Sequence, residues 1–129
     1  MGRYYDGDIE GKFWFGIQDT SDGDFFGKQH IVSEILWDYS KEDLPKIEEG
    51  LEKCETNLRY FKNGFKRFFK RNDGYNDEML LEFFNNGKIK FDIKLIRKKL
   101  TWYARYLLGK QIKECVESNE TCYFKTSDV

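Results

Sequence analysis

The sequence has few of the residues that catalysis or metal binding requires. Its 129 residues include a single histidine, His30, and a single proline. Any Ser-His-Asp or Cys-His catalytic pair would have to use His30, and no nucleophile is marked near it. A zinc site of histidines and cysteines would need ligands that the chain scarcely contains. The composition therefore favours a non-enzymatic protein over an enzyme, and we expect no cofactor.

Cysteine is also scarce, and its spacing excludes a redox motif. Cys54, Cys115 and Cys122 are an odd number, and none forms a Cys-x-x-Cys pair. This usage is typical of free thiols in a reducing compartment, so we expect a cytoplasmic protein. The sequence has no run of about 18 apolar residues and no apolar stretch at its start. We therefore expect neither a spanning helix nor a signal peptide, and no membrane partner.

Length and composition predict one packed domain. The chain has the size of a single domain, and 40% of its residues are hydrophobic and 18% aromatic. A charged fraction of 35% alone would suggest disorder, but the aromatic content argues for a core. No linker divides the chain, so we expect a single α+β domain over residues 1–129.

Charge is distributed unevenly along the chain, although the net charge is only -1. Residues 1–55 carry 6 basic and 14 acidic side chains, whereas residues 56–113 carry 15 basic and 5 acidic ones. This asymmetry indicates either a basic surface for an anionic partner or neutralisation of one half by the other. The sequence pI of about 5.9 argues against a dedicated strong nucleic-acid binder.

Three segments carry patterns typical of β-strands. Residues 8–17 alternate between apolar and polar side chains, which predicts a half-buried strand. Residues 30–39 are apolar on both sides, which predicts a more central strand. Residues 122–124 predict a short final strand, followed by a frayed end at residues 126–129, and we expect residues 121–126 to join the sheet. The Gly- and Asp-rich residues 18–29 predict a loop with one helical turn.

The longest pattern is a seam of apolar residues spaced alternately three and four residues apart. It predicts one long helix over residues 41–71, with Ser40 as N-cap, Asp43 as its capping-box partner and a break at Asn63-Gly64. The seam consists of Leu44, Ile47, Leu51, Cys54, Leu58, Phe61, Phe65 and Phe68. It forms either the core of a helical hairpin or part of a homodimer interface, and the short chain favours the hairpin.

Two further helices follow in the pattern. Asn76 is the predicted cap of a short helix, and Asp92 is the predicted cap of a third helix that ends near Ser118. Gly109 lies inside this third helix, at a cost of about 1 kcal/mol. The predicted fold is therefore α+β, with a small antiparallel sheet packed against two long helices and one short helix.

Basic residues on the predicted helices give the clearest indication of a binding surface. Residues 59–71 contain no acidic residue and include Phe65 and Phe68, and residues 94–105 are basic beside Trp102. Lys and Arg neutralise phosphates and exposed rings stack on bases, so both faces predict nucleic-acid binding. The basic residues concerned are Arg59, Lys62, Lys66, Lys70, Lys94, Arg97, Lys98 and Arg105. The simpler interpretation is solvated helix faces, neutralised in part by the acidic first half.

Closely spaced carboxylates near the N-terminus give a weaker indication. Asp6, Asp8 and Glu10 are of the type that holds a hard cation. On one face of a strand, Asp8, Glu10 and Lys12 would form half of a metal-dependent nuclease site. The stretch DGDIEGK at residues 6–12 recurs as DGDFFGK at residues 22–28. The simpler interpretation is two similar turns beside strands.

Two segments resemble a group of small proteins from large DNA viruses and marine metagenomes. They are GRYYDGDIEGKFWF at residues 2–15 and NDGYNDEML at residues 72–80. The resemblance implies a viral or infected-host setting, but no activity and no functional residue.

We therefore expect a non-enzymatic interaction protein that recognises a macromolecular partner, a protein in the first instance, as a monomer or homodimer. Nucleic-acid binding through the basic helix faces is the alternative. A metal-dependent nuclease or hydrolase is the third possibility.

Overall fold

The computed structural model describes residues 3–9, 11–12, 25–27 and 36–128. Within these residues the chain forms four α-helices and an antiparallel sheet of four strands, which confirms the predicted α+β class. In chain order the elements are β1 (Arg3–Gly7), β2 (Gly11–Lys12), β3 (Leu36–Ser40), α1 (Leu44–Leu58), α2 (Phe61–Arg71), α3 (Asp77–Phe84), α4 (Ile93–Asn119) and β4 (Thr121–Asp128). The described part has four helices rather than three because the first predicted helix is divided into α1 and α2.

Strand β4 lies inside the described sheet, whose order is β2-β1-β4-β3. It pairs with β1 through Tyr5 and Thr126 and with β3 through Trp37 and Phe124, in both cases antiparallel. The predicted frayed end is wrong, because residues 126–128 pair with β1. This pairing satisfies backbone groups that a frayed end would leave to solvent.

Strand β3 lies beside β4 alone in the described part of the sheet. The expectation of a more central strand over residues 30–39 stays a prediction, because residues 13–24 and 28–35 lie outside the described residues. Trp37 and Tyr39 are buried and Asp38 between them is exposed. This alternation is typical of a strand with one face in the core and one face in solvent.

The predicted strand over residues 8–17 is wrong at its beginning, because Asp8 and Ile9 form the turn between β1 and β2. Gly7 adopts a φ of +120°, and a Cβ atom there would lie 2.5 Å from the carbonyl oxygen of Tyr123. The N–H of Asp8 donates to that oxygen over 2.6 Å, and the Asp8 carboxylate accepts the Tyr123 N–H over 2.9 Å. Glycine permits both this backbone conformation and this close approach. Beyond β2, the predicted strand lies outside the described residues.

The predicted caps at Asn76 and Asp92 are confirmed, whereas Ser40 caps a 3₁₀ turn and not the predicted α-helix. The Asn76 side chain accepts the N–H of Met79 over 2.8 Å at the start of α3. The Asp92 side chain accepts the N–H two residues later over 3.1 Å at the start of α4. Ser40 caps a 3₁₀ turn over Lys41–Asp43 that precedes α1, and its N–H donates to the Asp43 carboxylate over 2.8 Å. Each cap satisfies a backbone N–H that has no partner inside its helix.

The long predicted helix is interrupted at Arg59, and not at Asn63-Gly64, which lies within α2. Arg59 adopts φ +52° and ψ −130°, outside the helical region. After this turn the Phe61 ring packs against Phe91, with centroids 5.1 Å apart. The break thus comes from packing between distant segments, which the local helical pattern does not contain.

The apolar seam faces the interior of the chain. Helix α1 packs along α4, and every seam residue is buried except Leu44, which is partly buried. The hairpin-core interpretation is confirmed, and the seam is not available for a homodimer interface. The sheet adds Tyr5, Trp37, Tyr39 and Phe124 to the same core. In the described residues, no helix has both the length and the apolar character needed to cross a membrane.

Candidate functional site

Helix α2 places its aromatic residues inward and its basic residues outward. Phe61, Phe65 and Phe68 are buried against the core. The exposed residues on the opposite side are Asn63, Lys66, Arg67, Lys70 and Arg71. This division follows from the 3.6-residue period of the helix, which separates the two sets of side chains. We refer to Lys66, Arg67, Lys70 and Arg71 as the α2 basic face.

The α2 basic face has a described carboxylate beside it, because Glu82 of α3 lines a groove with Arg67 and Arg71. Among the residues that the structure describes, none of its four side chains takes part in an ion pair. Helix α2 contains five basic residues and no acidic residue. The helix dipole favours positive charge at Lys70 and Arg71, in the last turn. Lys66 and Arg67 lie a turn earlier, where this stabilisation is weaker, so the dipole does not account for them.

An open groove of about 560 Å³ lies beside the α2 basic face, between α2 and α3. Arg67 and Arg71 line it together with Phe68, Asn72, Met79, Glu82, Phe83 and Asn86. The rings of Phe68 and Phe83 meet edge to face, with centroids 5.4 Å apart. Guanidinium groups donate strong hydrogen bonds to phosphates and carboxylates. The groove therefore combines anion donors with apolar surface.

Two residues predicted to belong to this face have other positions. Lys62 is half-buried, and its Nζ lies 3.4 Å from a Glu55 carboxylate oxygen and 5.3 Å from the centroid of the Tyr106 ring. Lys62 thus joins α2 to α1 and α4. Arg59 lies outside α2, at the turn between α1 and α2. Of the four residues predicted on this helix, Lys66 and Lys70 lie together on its exposed face, one turn apart.

The predicted basic face of α4 is partly neutralised. The guanidinium group of Arg97 binds Asp77 at two points, with 3.0 Å from Nε to Oδ1 and 2.6 Å from Nη2 to Oδ2. Arg105 lies over the Trp102 ring, 4.8 Å from its centroid. Lys94 and Lys98 are exposed and, within the described part of the chain, have no acidic partner. Of the four cations predicted on α4, only Lys94 and Lys98 are therefore exposed without an acidic or aromatic partner in the described residues.

The rings expected to stack on bases have a structural role instead. Phe65 and Phe68 are buried, and Trp102 meets Phe25 edge to face, with centroids 5.5 Å apart. The stacking part of the prediction is therefore wrong for Phe65 and Phe68, which belong to the packing of α2, α3 and α4, whereas Trp102 is partly buried beside Phe25. Stacking requires a ring with an open face.

The carboxylates predicted to bind a metal are placed differently from the prediction. Asp8 lies in the turn after β1, and its carboxylate accepts the Tyr123 N–H. Asp6 belongs to β1, while Glu10 lies outside the described residues. The prediction that Asp8 shares a strand face with Glu10 and Lys12 is wrong, because Asp8 is not in a strand. In residues 3–9, 11–12, 25–27 and 36–128, no group of three potential ligands is arranged to hold a metal ion.

Part of the site was not included in the predicted set of residues. Arg67 and Arg71 belong to the same basic stretch, and their spacing of four residues places them on one side of the helix. The groove residues of α3, such as Met79 and Glu82, have no such signal, because their proximity to α2 depends on tertiary packing. His30, which we expect to have a structural role beside an apolar strand, lies outside the described residues.

Comparisons of this chain with protein families, with curated proteins and with solved structures find no match. The site is therefore interpreted from its own geometry and charge.

Proposed function

We propose that this chain is a non-enzymatic binding protein whose α2 basic face contacts the phosphate backbone of a nucleic acid. The observation that carries the proposal is a set of four exposed basic side chains on one helix, with no acidic partner in the described residues. Lys66 and Lys70 are one turn apart, about 6 Å along the helix axis. Closely spaced cations of this kind neutralise successive phosphates and release their counterions.

The expected mode of binding is largely independent of base sequence. In the described residues, no exposed aromatic ring lies on the α2 basic face, since Phe61, Phe65 and Phe68 are buried and Phe69 is partly buried. Phosphate contacts position a protein on nucleic acid, whereas base contacts provide specificity. We therefore expect electrostatic binding to both single and double strands.

An acidic segment of a protein partner is the second candidate. The groove between α2 and α3 favours it, because Arg67 and Arg71 lie beside the apolar side chains of Phe68 and Phe83. A peptide with carboxylates and an apolar residue would use both kinds of surface. Met79→Gln would then weaken binding of the peptide. It would leave the affinity for nucleic acid unchanged, because Met79 lines the groove and is not part of the α2 basic face.

We propose the cytoplasm as the setting of this chain, because its three cysteines are free thiols. The resemblance of residues 2–15 and 72–80 to proteins of large DNA viruses supports an infected cell as the context.

Charge reversal on α2 tests the proposed surface. Lys66→Glu/Lys70→Glu should weaken binding of fluorescently labelled DNA and RNA about tenfold or more in anisotropy titrations at low salt. The matched control is Lys94→Glu/Lys98→Glu, which makes the same change in net charge at two exposed lysines of α4 with the same spacing. Circular dichroism confirms that both variants remain folded.

The two variants separate the possible outcomes. A much larger loss for the α2 variant supports the proposal. Equal losses would mean that net charge, and not the α2 basic face, controls binding, which contradicts it. Absence of binding by the natural chain at low salt would overturn the nucleic-acid proposal and leave the acidic protein partner.

A further inference from the structure

Two of the three cysteines meet where α4 turns into β4. Helix α4 ends at Asn119, Glu120 adopts a left-handed conformation with φ +70°, and β4 begins at the next residue. The Cys115 Sγ atom lies 3.8 Å from the carbonyl oxygen of Thr121, the residue before Cys122. The Cys122 thiol lies close enough to Cys115 for their interaction to contribute to the raised pKa of Cys122. The turn therefore brings together two sulfur atoms that are seven residues apart in sequence.

The two thiols differ in their access to solvent. Cys122 is fully buried in the core, and its burial, together with its interaction with Cys115, raises the pKa of its thiol. Cys115 is partly buried and lines an open groove of about 320 Å³ with Asp8, Gln111 and Ser118. A small oxidant can thus reach Cys115 from solvent, while Cys122 lies behind it.

We propose that Cys115 and Cys122 are a site of reversible oxidation, at which a peroxide converts the two thiols into an intramolecular disulfide. The Cys115 sulfur attacks a peroxide oxygen, the O–O bond breaks, and one water leaves, so that Cys115 becomes a sulfenic acid. The Cys122 sulfur then attacks the Cys115 sulfur and the S–O bond breaks. The hydroxide takes the Cys122 proton and leaves as a second water. Hydrogen peroxide is thereby reduced to two waters while two thiols lose two electrons and two protons.

The disulfide would connect two elements that the turn already holds together. It links the last turns of α4 to the strand that lies between β1 and β3. Cys54 does not take part, because it lies on α1 and not at the turn between α4 and β4. A thiol reductant restores the free cysteines.

Peptide mapping of the full chain tests the proposal directly. The folded protein is treated with hydrogen peroxide, alkylated with iodoacetamide under denaturing conditions and digested with trypsin. Cleavage after Lys113 and Lys125 places both cysteines in the peptide 114–125, whereas Cys54 falls in the peptide 54–59. We expect peptide 114–125 to lose about 2 Da and carry no alkyl group, and to regain two alkylation sites after reduction. Peptide 54–59 should stay alkylated.

Three other results would overturn the proposal. They are an unchanged peptide 114–125 with two alkyl groups, a sulfinic acid at Cys115 beside an alkylated Cys122, and a disulfide between two copies of the chain. Cys54→Ser is the matched variant, because it retains the pair and should oxidise as the natural chain does. Cys115→Ser should form no intramolecular disulfide. The natural chain alone supplies the deciding result if either variant fails to fold.

Discussion

The ring of Phe26 lies against Gly109 so closely that a Cβ atom at Gly109 would fall 2.5 Å from Cε1 of that ring. Phe26 is fully buried, and the same Cβ atom would approach Leu51 to 2.8 Å. The glycine that weakens helix α4 locally therefore provides the space for a core residue from a distant segment.

Gly109→Ala should destabilise the fold although alanine favours helices. The higher helix propensity of alanine alone would raise the free energy of unfolding by about 1 kcal/mol, but overpacking against the Phe26 ring costs about 1–3 kcal/mol. We expect a net decrease in the free energy of unfolding, measured by urea denaturation. Gly74→Ala is the control, since nothing lies within 4 Å of a Cβ atom there. A stabilised Gly109→Ala variant would contradict the contact between Phe26 and α4.

At the turn between α1 and α2, we expect a substitution to glycine to stabilise the fold. Arg59 has a positive φ, which costs an L-residue about 1–3 kcal/mol but is available to glycine. Arg59→Gly removes this strain, but glycine loses more backbone entropy on folding than arginine does. The net result should be a free energy of unfolding about 1 kcal/mol higher. Glu52→Gly, at an exposed position inside α1, should lower it by about 1 kcal/mol. If both substitutions destabilise equally, α1 and α2 form one continuous helix in solution.

Alkaline pH should destabilise the chain through Cys122. Burial raises the pKa of its thiol, so the unfolded chain loses this proton at a lower pH than the folded chain does. The protonated Cys122 thiol contributes to the free energy of unfolding. This contribution is fully present below the unfolded pKa of about 8.5 and is lost as pH rises, by about 1.4 kcal/mol per pH unit. Burial also raises the pKa of Tyr103, which acts in the same direction at higher pH.

Urea denaturation under reducing conditions at about pH 7.5 and about pH 9.5 measures this effect. The natural chain should lose about 1 kcal/mol or more between the two values. Cys122→Ala, compared with itself at the two pH values, should show a smaller decrease. The same decrease in both chains would mean that Cys122 does not keep its proton in the folded state.

Local signals predict the helical part of the fold well. The caps at Asn76 and Asp92 satisfy N–H groups within a few residues, so their effect is contained in the sequence nearby. The break at Arg59 has no such signal, because it depends on the packing of Phe61 on Phe91. The order of the sheet is non-local for the same reason, since β4 comes last in the chain and lies between β1 and β3.

The candidate site was predictable where it depends on helical spacing. Lys66 and Lys70 were expected on one exposed face of a helix, and they lie there. Lys62 and Arg97 have the same residue types and similar spacing, yet Glu55 and Asp77 bind them. Such partners come from other elements, and the sequence pattern of one helix does not contain them. The charge pattern thus predicts more unpaired cations than the folded surface presents.

The dependence of nucleic-acid affinity on salt tests the central claim most directly. Contact of four phosphates by the α2 basic face predicts a slope of log K against log[salt] of about −2.8 for single strands and about −3.6 for duplex DNA. Between about 50 and about 200 mM salt, the association constant should therefore fall about 50-fold and about 150-fold, respectively. A slope near zero, or no binding at the lower salt concentration, would contradict the account.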